Sequence, residues 1–232
     1  DAVYVEPASQ EEVLAVLERE RPVGVLVQFG GQTALRLAHA VDRAGWPILG
    51  TPLPAIDAAE DRAKFDAVLA RRRGLRRPPG IAARTAEEAL EGARRLGFPL
   101  VVRPSYVLGG REMAIVRDEA ALQAYLDRFF RERREVPMLL DRYVEGVELE
   151  VDALADGREV LIPGVLKHVE RTGVHSGDSI AVFPAPGVPE AIQQAVAEAT
   201  AKIALDLGVR GLLNVQFAVQ GSDVFVLEAN PR

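Results

Sequence analysis

The sequence predicts an α/β unit followed by a larger α+β unit, on three observations. Short apolar runs alternate with amphipathic helical segments over the first sixty residues; a strand–loop–strand pair flanked by helices follows; the last stretch carries strands around one long helix. At 232 residues and 48% hydrophobic content, the chain is long enough for one large core or two modest ones.

Taken in order, Ser9-Gln10-Glu11-Glu12 is a capping box ahead of Val13, Leu14 and Leu17, predicting a helix over about 10–20. Gly24–Phe29 is a continuous apolar run, as expected of a buried parallel strand. Gly30-Gly31-Gln32-Thr33 turns into a helix carrying Leu35, Leu37, Ala38 and Val41, and Ile48-Leu49-Gly50 reads as a second strand before a loop at Thr51–Pro54. These elements read as the tail of a doubly wound domain, within a chain that reads as a fragment of a longer one. Residues 61–73 predict a helix with Phe65, Val68 and Leu69 inward, and the Arg-rich, Pro-Pro-Gly stretch at 71–80 is the best candidate boundary. A second capping box, Thr85-Ala86-Glu87-Glu88, opens a helix through Leu96 that Gly97 ends. Leu100–Arg103 and Glu112–Val116 form a strand and its return. Leu122, Tyr125, Leu126 and Phe129 have the i, i+3, i+4, i+7 spacing of a buried helix face. A long helix over about 189–207 starts at Pro189 and ends at Gly208.

Composition excludes several functions. With 28 basic against 34 acidic side chains the net charge is −6, which argues against nucleic-acid binding. There is no cysteine, hence no disulfide, thiolate metal site or cysteine nucleophile, and three histidines leave little for a poly-histidine metal site. No apolar run reaches the ~20 residues of a membrane helix, and no signal-peptide pattern opens the chain, so a cytoplasmic protein without membrane contact is expected. None of its lysines sits in a G-x-x-x-x-G-K-[ST] pattern, so any phosphate handling proceeds without a P-loop.

Four segments carry possible chemistry. Arg103-Pro104-Ser105 ends a buried strand beside Gly109-Gly110, a combination that suits a polyphosphate but equally a glycine-turn hairpin with a surface arginine. In Glu148-Leu149-Glu150-Val151-Asp152, alternation puts three carboxylates on one face and Val147, Leu149 and Val151 on the other. Such a row wants a cation or donor between its members, or is a solvated strand face. Gly173–Ser179 is dense in polar groups for a connection, though a loop also fits. Finally, Asn214–Val219 and Val224–Asn230 are strands around Gly221-Ser222-Asp223. If those three residues form the loop, Gln216 faces Glu228 and Asn214 faces Asn230, with Phe217, Phe225 and Leu227 packed behind. Carboxylate plus amide oxygens is hard-cation chemistry, as for Mg²⁺ with a nucleotide phosphate, and this reading outweighs the alternative of a polar strand end.

Arg103-Pro104-Ser105, Gly109-Gly110, GVHSGDS at 173–179, NVQFAV at 214–219 and Glu228-Ala229-Asn230-Pro231-Arg232 together resemble the carbamoyl-phosphate synthetase large-chain family of ATP-grasp enzymes. The likeness runs from about residue 3 to 232. VVRPSYVLGG at 101–110 and serine at 176 look like that family's C-terminal, carbamate-phosphorylating half. The resemblance implies an ATP-grasp domain over 61–232, preceded by the end of a pre-ATP-grasp α/β domain over 1–60. A flap subdomain would span about 80–140, and a metal-binding subdomain about 141–232, cut short at its C-terminus. It implies ATP contacts at Arg62, Arg103, Gly109 and Gly110, an adenine pocket at Arg142 and Val144, and ribose at Glu148. Gly173, Val174, His175 and Ser176 would shape the nucleotide site. Two Mg²⁺ or Mn²⁺ would sit on Gln216, Glu228 and Asn230, and Arg232 would stabilise the transferring phosphoryl group. A K⁺ shell would comprise Glu148, His168, Glu170, Val174 and Ser179. Arg142 stands where the family has histidine, and the loop at Glu145–Gly146 is one residue shorter. Implied partners are carbamate, the glutamine amidotransferase small chain and the remaining large-chain domains, in a synthesis serving arginine and pyrimidine pathways. Two alternatives are another ATP-grasp carboxylate–amine ligase or a biotin carboxylase, and a non-catalytic nucleotide-binding or assembly module. The former relatives usually carry lysine where Arg103 stands; intact Gln216, Glu228 and Asn230 weigh against the latter.

Overall fold

The computed structural model describes residues 2–104, 113–132, 137–174 and 176–231. Two antiparallel sheets organise it. The smaller has four strands in the order β1 (Gly80–Ala83), β4 (Met138–Arg142), β2 (Leu100–Pro104) and β3 (Ala114–Val116). Helices α5 (Ala86–Leu96) and α6 (Glu119–Glu132) close a core of Leu100, Val102, Leu122, Leu126, Met138 and Leu140. Thr85 caps α5 as expected, its hydroxyl accepting from the Glu88 amide, while the Glu88 carboxylate reaches one residue past the N-cap and accepts from the Arg84 amide at 2.7 Å.

The larger sheet runs β10 (Asp223–Pro231), β9 (Arg210–Gln220), β5 (Val147–Asp156), β7 (Leu166–Arg171) and β8 (Ala181–Val182), with β6 (Val160–Leu161) pairing β5. Its inner face, Leu149, Val151, Leu213, Val215, Phe217 and Val226, packs on α7 (Glu190–Leu207), which stops at the left-handed Gly208. The alternation expected at 147–151 is present: Leu149 and Val151 are buried in the core while Glu148 and Glu150 project from the other face.

Three sequence expectations are corrected. The apolar run at 24–29 is a single parallel bridge, Val25 to Ile48, followed by a short turn of 3₁₀ helix at Gln28–Gly30, because no further strand flanks it among the described residues. The loop read at 51–54 instead enters a helix, α3 (Leu53–Glu60), with Pro54 in its first turn. It adds Ala55 to the larger core, and Asp61 then caps α4 (Arg62–Leu69), which ends four residues before 73. Phe225 does not pack behind the hairpin. It lies half-buried under the Arg76 guanidinium, 4.7 Å from its ring centroid, and Val226 and Ala229 fill the core in its place. Before these elements, α1 (Gln10–Glu20) and α2 (Gly31–Arg43) form as expected, with Val27, Leu35, Ala38 and Ile56 as a small third core.

Candidate active site

The hairpin that carries the oxygen-rich face reaches the expected pairing by a different route. Gly221-Ser222 alone make the turn, so Asp223 pairs with Gln220, one residue off the expected register. A bulge between Val226 and Glu228 restores that residue, and Glu228 then faces Gln216 and Asn230 faces Asn214. The next strand continues both rungs, Gln216 with Glu150 and Asn214 with Asp152. Cross-strand neighbours share a face, so six oxygen-bearing side chains from three adjacent strands line one patch.

Within the patch the Asn230 amide donates to Glu228 Oε1 at 3.1 Å, and the Asn214 amide bridges Glu150 Oε1 at 2.5 Å and Asp152 Oδ1 at 2.9 Å. Asn214 thereby screens two like charges that stand two residues apart on the same face of β5. Arg103, at the end of β2 in the smaller lobe, reaches across the cleft to within 3.8 Å of Glu228 Oε2. The structure therefore brings together Gln216, Glu228 and Asn230 with Arg103 facing them. Among the described residues no three Asp, Glu or His side chains converge as a ready cation cage. The donor set is one carboxylate plus two amide oxygens, which fits a hard cation arriving with its own phosphate and water oxygens.

A second cluster sits deeper on the same face. His168 is 3% exposed, with Nε2 at 2.8 Å from Glu150 Oε2 and Nδ1 at 3.8 Å from Glu148 Oε1. Glu148 is equally buried; burial pushes its carboxyl up to about 7, against the opposing pull of His168 and a hydrogen bond from the Gly173 main chain. Such a desolvated carboxylate, beside a buried imidazole nitrogen with no hydrogen-bond partner among the described residues, fits a monovalent cation on that wall. Glu170, two residues after His168 on β7, has its Oε2 accepting from the Ile180 amide at 2.8 Å. Val174 is exposed, and Ser179 is half-buried on the same loop.

The Glu148 geometry gives a pH prediction. The native state holds a proton on this carboxyl up to about pH 7, whereas the unfolded chain releases it near 4.5, so native protein binds more protons between those values. Stability contributed by this group accordingly falls as pH rises from about 4.5 to 7, by about 3 kcal/mol in total. Glu148→Gln keeps an acceptor for Gly173 and removes the charge. Urea unfolding should show it gaining on the parent through that window and matching it below pH 4.5; a constant offset would contradict the burial argument.

On the other wall, Arg62 opens α4 and places Nη2 at 2.5 Å from Asp141 Oδ1 of β4, tying the two lobes together. Arg142 is exposed at the end of β4, its amide bonded to the Pro79 carbonyl, and Val144 is buried with its carbonyl accepting from Thr172 Oγ1 at 2.6 Å. Gly173 takes φ +90°, and a Cβ there would stand 2.9 Å from Ile115, so only glycine fits where this loop meets the smaller lobe. Gly109, Gly110, His175, Arg232 and the Ser176 side chain lie outside the described residues. Sequence reading missed Asp141, Asp66 and Arg77, whose contacts with Arg62 and its neighbours join separate elements. Only the strand position of Asp141, a carboxylate in a run of buried apolar residues, could have drawn notice.

Residues 61–232 match the family described as carbamoyl-phosphate synthase L chain, ATP binding domain, and residues 1–58 match the carbamoyl phosphate synthase preATP-grasp domain. The chain is 54% identical over 234 residues to a carbamoyl phosphate synthase large chain of Thermus thermophilus, covering 100% of this chain and 23% of that protein. Its fold is similar to biotin carboxylase from Campylobacter jejuni, with TM-score 0.76 at 20% identity over 97% of this chain and 52% of that one. It is also similar to D-alanine–D-alanine ligase from Bacillus anthracis, with TM-score 0.75 at 19% identity over 100% of this chain and 75% of that one. The two lobes are thus an ATP-grasp fold, with pre-ATP-grasp residues ahead of it.

Proposed function

The chain belongs to the carbamoyl-phosphate synthase large-chain family, and from that premise we propose that it binds ATP between its lobes and phosphorylates carbamate to carbamoyl phosphate. The observation that carries this reading is Arg103 facing Glu228 across the cleft, with Gln216 and Asn230 beside it. Phosphoryl transfer asks for charge neutralisation and in-line alignment more than for covalent help. Arg103 and Arg62 supply fixed positive charge to the phosphates, under the glycines at 109–110. Arg142 and Val144 line the adenine side, Glu148 meets the ribose, and Gly173, Val174, His175 and Ser176 shape the remaining wall. Gln216, Glu228 and Asn230 would hold two Mg²⁺ or Mn²⁺, which when bound screen the triphosphate and polarise its terminal phosphoryl group. Glu148, His168, Glu170, Val174 and Ser179 would hold K⁺. A carbamate oxygen attacks the γ-phosphorus, the bond to the β-bridging oxygen breaks, and ADP leaves, with Arg232 steadying the transferred group. Closure of the lobes excludes water from an acceptor that water destroys.

The chain spans less than a quarter of its Thermus relative. The wider activity is therefore part of the same proposal: a cytoplasmic, glutamine-dependent synthesis with an amidotransferase small chain and further large-chain domains, feeding arginine and pyrimidine pathways. No helix among the described residues is long and apolar enough to cross a membrane. The test is the reverse half-reaction in the native polypeptide. ATP should form from carbamoyl phosphate and Mg-ADP. Failure there, alongside ATP consumption driven by a different carboxylate, would move the assignment to another ATP-grasp ligase.

A further inference from the structure

Arg77 belongs to none of the roles above, yet it is the most enclosed guanidinium at the lobe junction. The segment carrying it is stitched to both lobes: the Arg76 carbonyl accepts from the Val226 amide of β10, and the Pro79 carbonyl accepts from the Arg142 amide of β4, both at 2.8 Å. Its side chain is 10% exposed, lies 5.7 Å from the Phe65 ring centroid, and places Nη1 at 3.5 Å from Asp66 Oδ1. The other oxygen of that carboxylate lies 3.9 Å from Arg62 Nε, so two arginines share one carboxylate. Burial, and the neighbouring charges of Arg62 and Arg103, hold the Arg77 guanidinium below its usual range. Arg77 Nε and Arg62 Nη1 are both buried without a hydrogen-bond partner among the described residues. Arg62, Arg77 and Arg103 have Asp66, Asp141 and Glu228 as counter-charges, yet two of their buried donors remain unspent, which leaves hydrogen-bonding capacity for a further anion.

The geometry points to Arg77 as a positioning residue for nucleotide phosphate: held against Phe65 and Asp66, it sets the place and potential of Arg62, so that an incoming phosphate draws Arg62 from Asp141. This rests on the phosphate-binding reading of the cleft and names a residue that reading did not include. Nucleotide phosphate then supplies acceptors for donors the cluster leaves unspent, and the Arg62–Asp141 contact between lobes becomes the one exchanged on loading.

The test is calorimetric titration of the native polypeptide with Mg-ADP. Arg77→Met keeps an unbranched side chain that can cover Phe65 but removes the charge and the guanidinium, and should weaken binding about tenfold, as should Arg62→Met. The double variant should bind little worse than either single one, because the two residues act as a unit. Arg77→Lys should recover part of the loss. Binding by Arg77→Met within about twofold of the parent overturns the inference, as does a double variant whose loss is the product of the single losses. If Arg77→Met does not fold, Arg77→Gln gives the same readout. Arg103→Met separates the two levels. Where it weakens Mg-ADP binding and Arg77→Met does not, only this inference fails; where neither does, the phosphate reading falls with it.

Discussion

Glu228→Gln is expected to lower ATP formation from carbamoyl phosphate and Mg-ADP by roughly 10²–10³-fold, comparable to losing one preorganised charge-stabilising group. The substitution preserves volume and the acceptor for the Asn230 amide, so the hairpin should stay intact. What disappears is the one carboxylate in the proposed Mg²⁺ set, leaving three amides, which are weak ligands for a doubly charged ion. The loss should shrink as the divalent concentration is raised, whereas an unfolded variant would not respond. The Arg103 contact is half-exposed on both sides at 3.8 Å and contributes little stability, so the melting temperature should barely move. Full activity in the variant would refute the metal assignment.

The second large effect is on stability. Phe217→Ala should cost about 3–5 kcal/mol, because it empties a large site whose neighbours are strands and cannot collapse inward. Phe217 is fully buried on β9, between β10 and β5, and packed with Leu149, Val215, Val226 and α7. Against a typical total of ~5–15 kcal/mol, this removes a large share of the fold. The denaturation midpoint in urea should fall with the slope unchanged; a shift worth under ~1 kcal/mol would mean the core under the site is not closed. Phe217 lies on the strand between Gln216 and Ala218, so the same strand fills the core with one side chain and presents the candidate cation ligand with the next.

Local rules were enough to read much of this. Ser9 and Thr85 cap their helices as their sequence context demands; period-2 alternation put Glu148 and Glu150 on one strand face, and hairpin pairing put Gln216 opposite Glu228, before any coordinates, but that the two faces are one came only from the β5–β9 pairing. The run at 24–29 misled because apolar composition marks burial, while a strand also needs neighbours to pair with. The helix at 53–60 was hidden by its prolines, which open helices as well as end them. Arg62–Asp141 spans 79 positions, and Arg77 is indistinguishable in sequence from the exposed arginines at 71, 72, 73 and 76. Only tertiary packing tells a buried guanidinium from a solvated one.

The extra residue at Leu227 has a consequence for how this hairpin can diverge. The kink acts as a phase corrector: it decouples the tip from the ligand rungs, since both sides of the correction are independently paired. Lengthening or trimming the tip at Gly221-Ser222 alters only the outer pairs. Were the ladder to run on unbroken with Leu227 in place, Leu227 would face Gln216 and the acidic ligand would swing into the hydrocarbon interior beneath the sheet, an ionised group stranded in oil. Losing Leu227 altogether would instead leave Glu228 opposite Gln216 in a regular ladder.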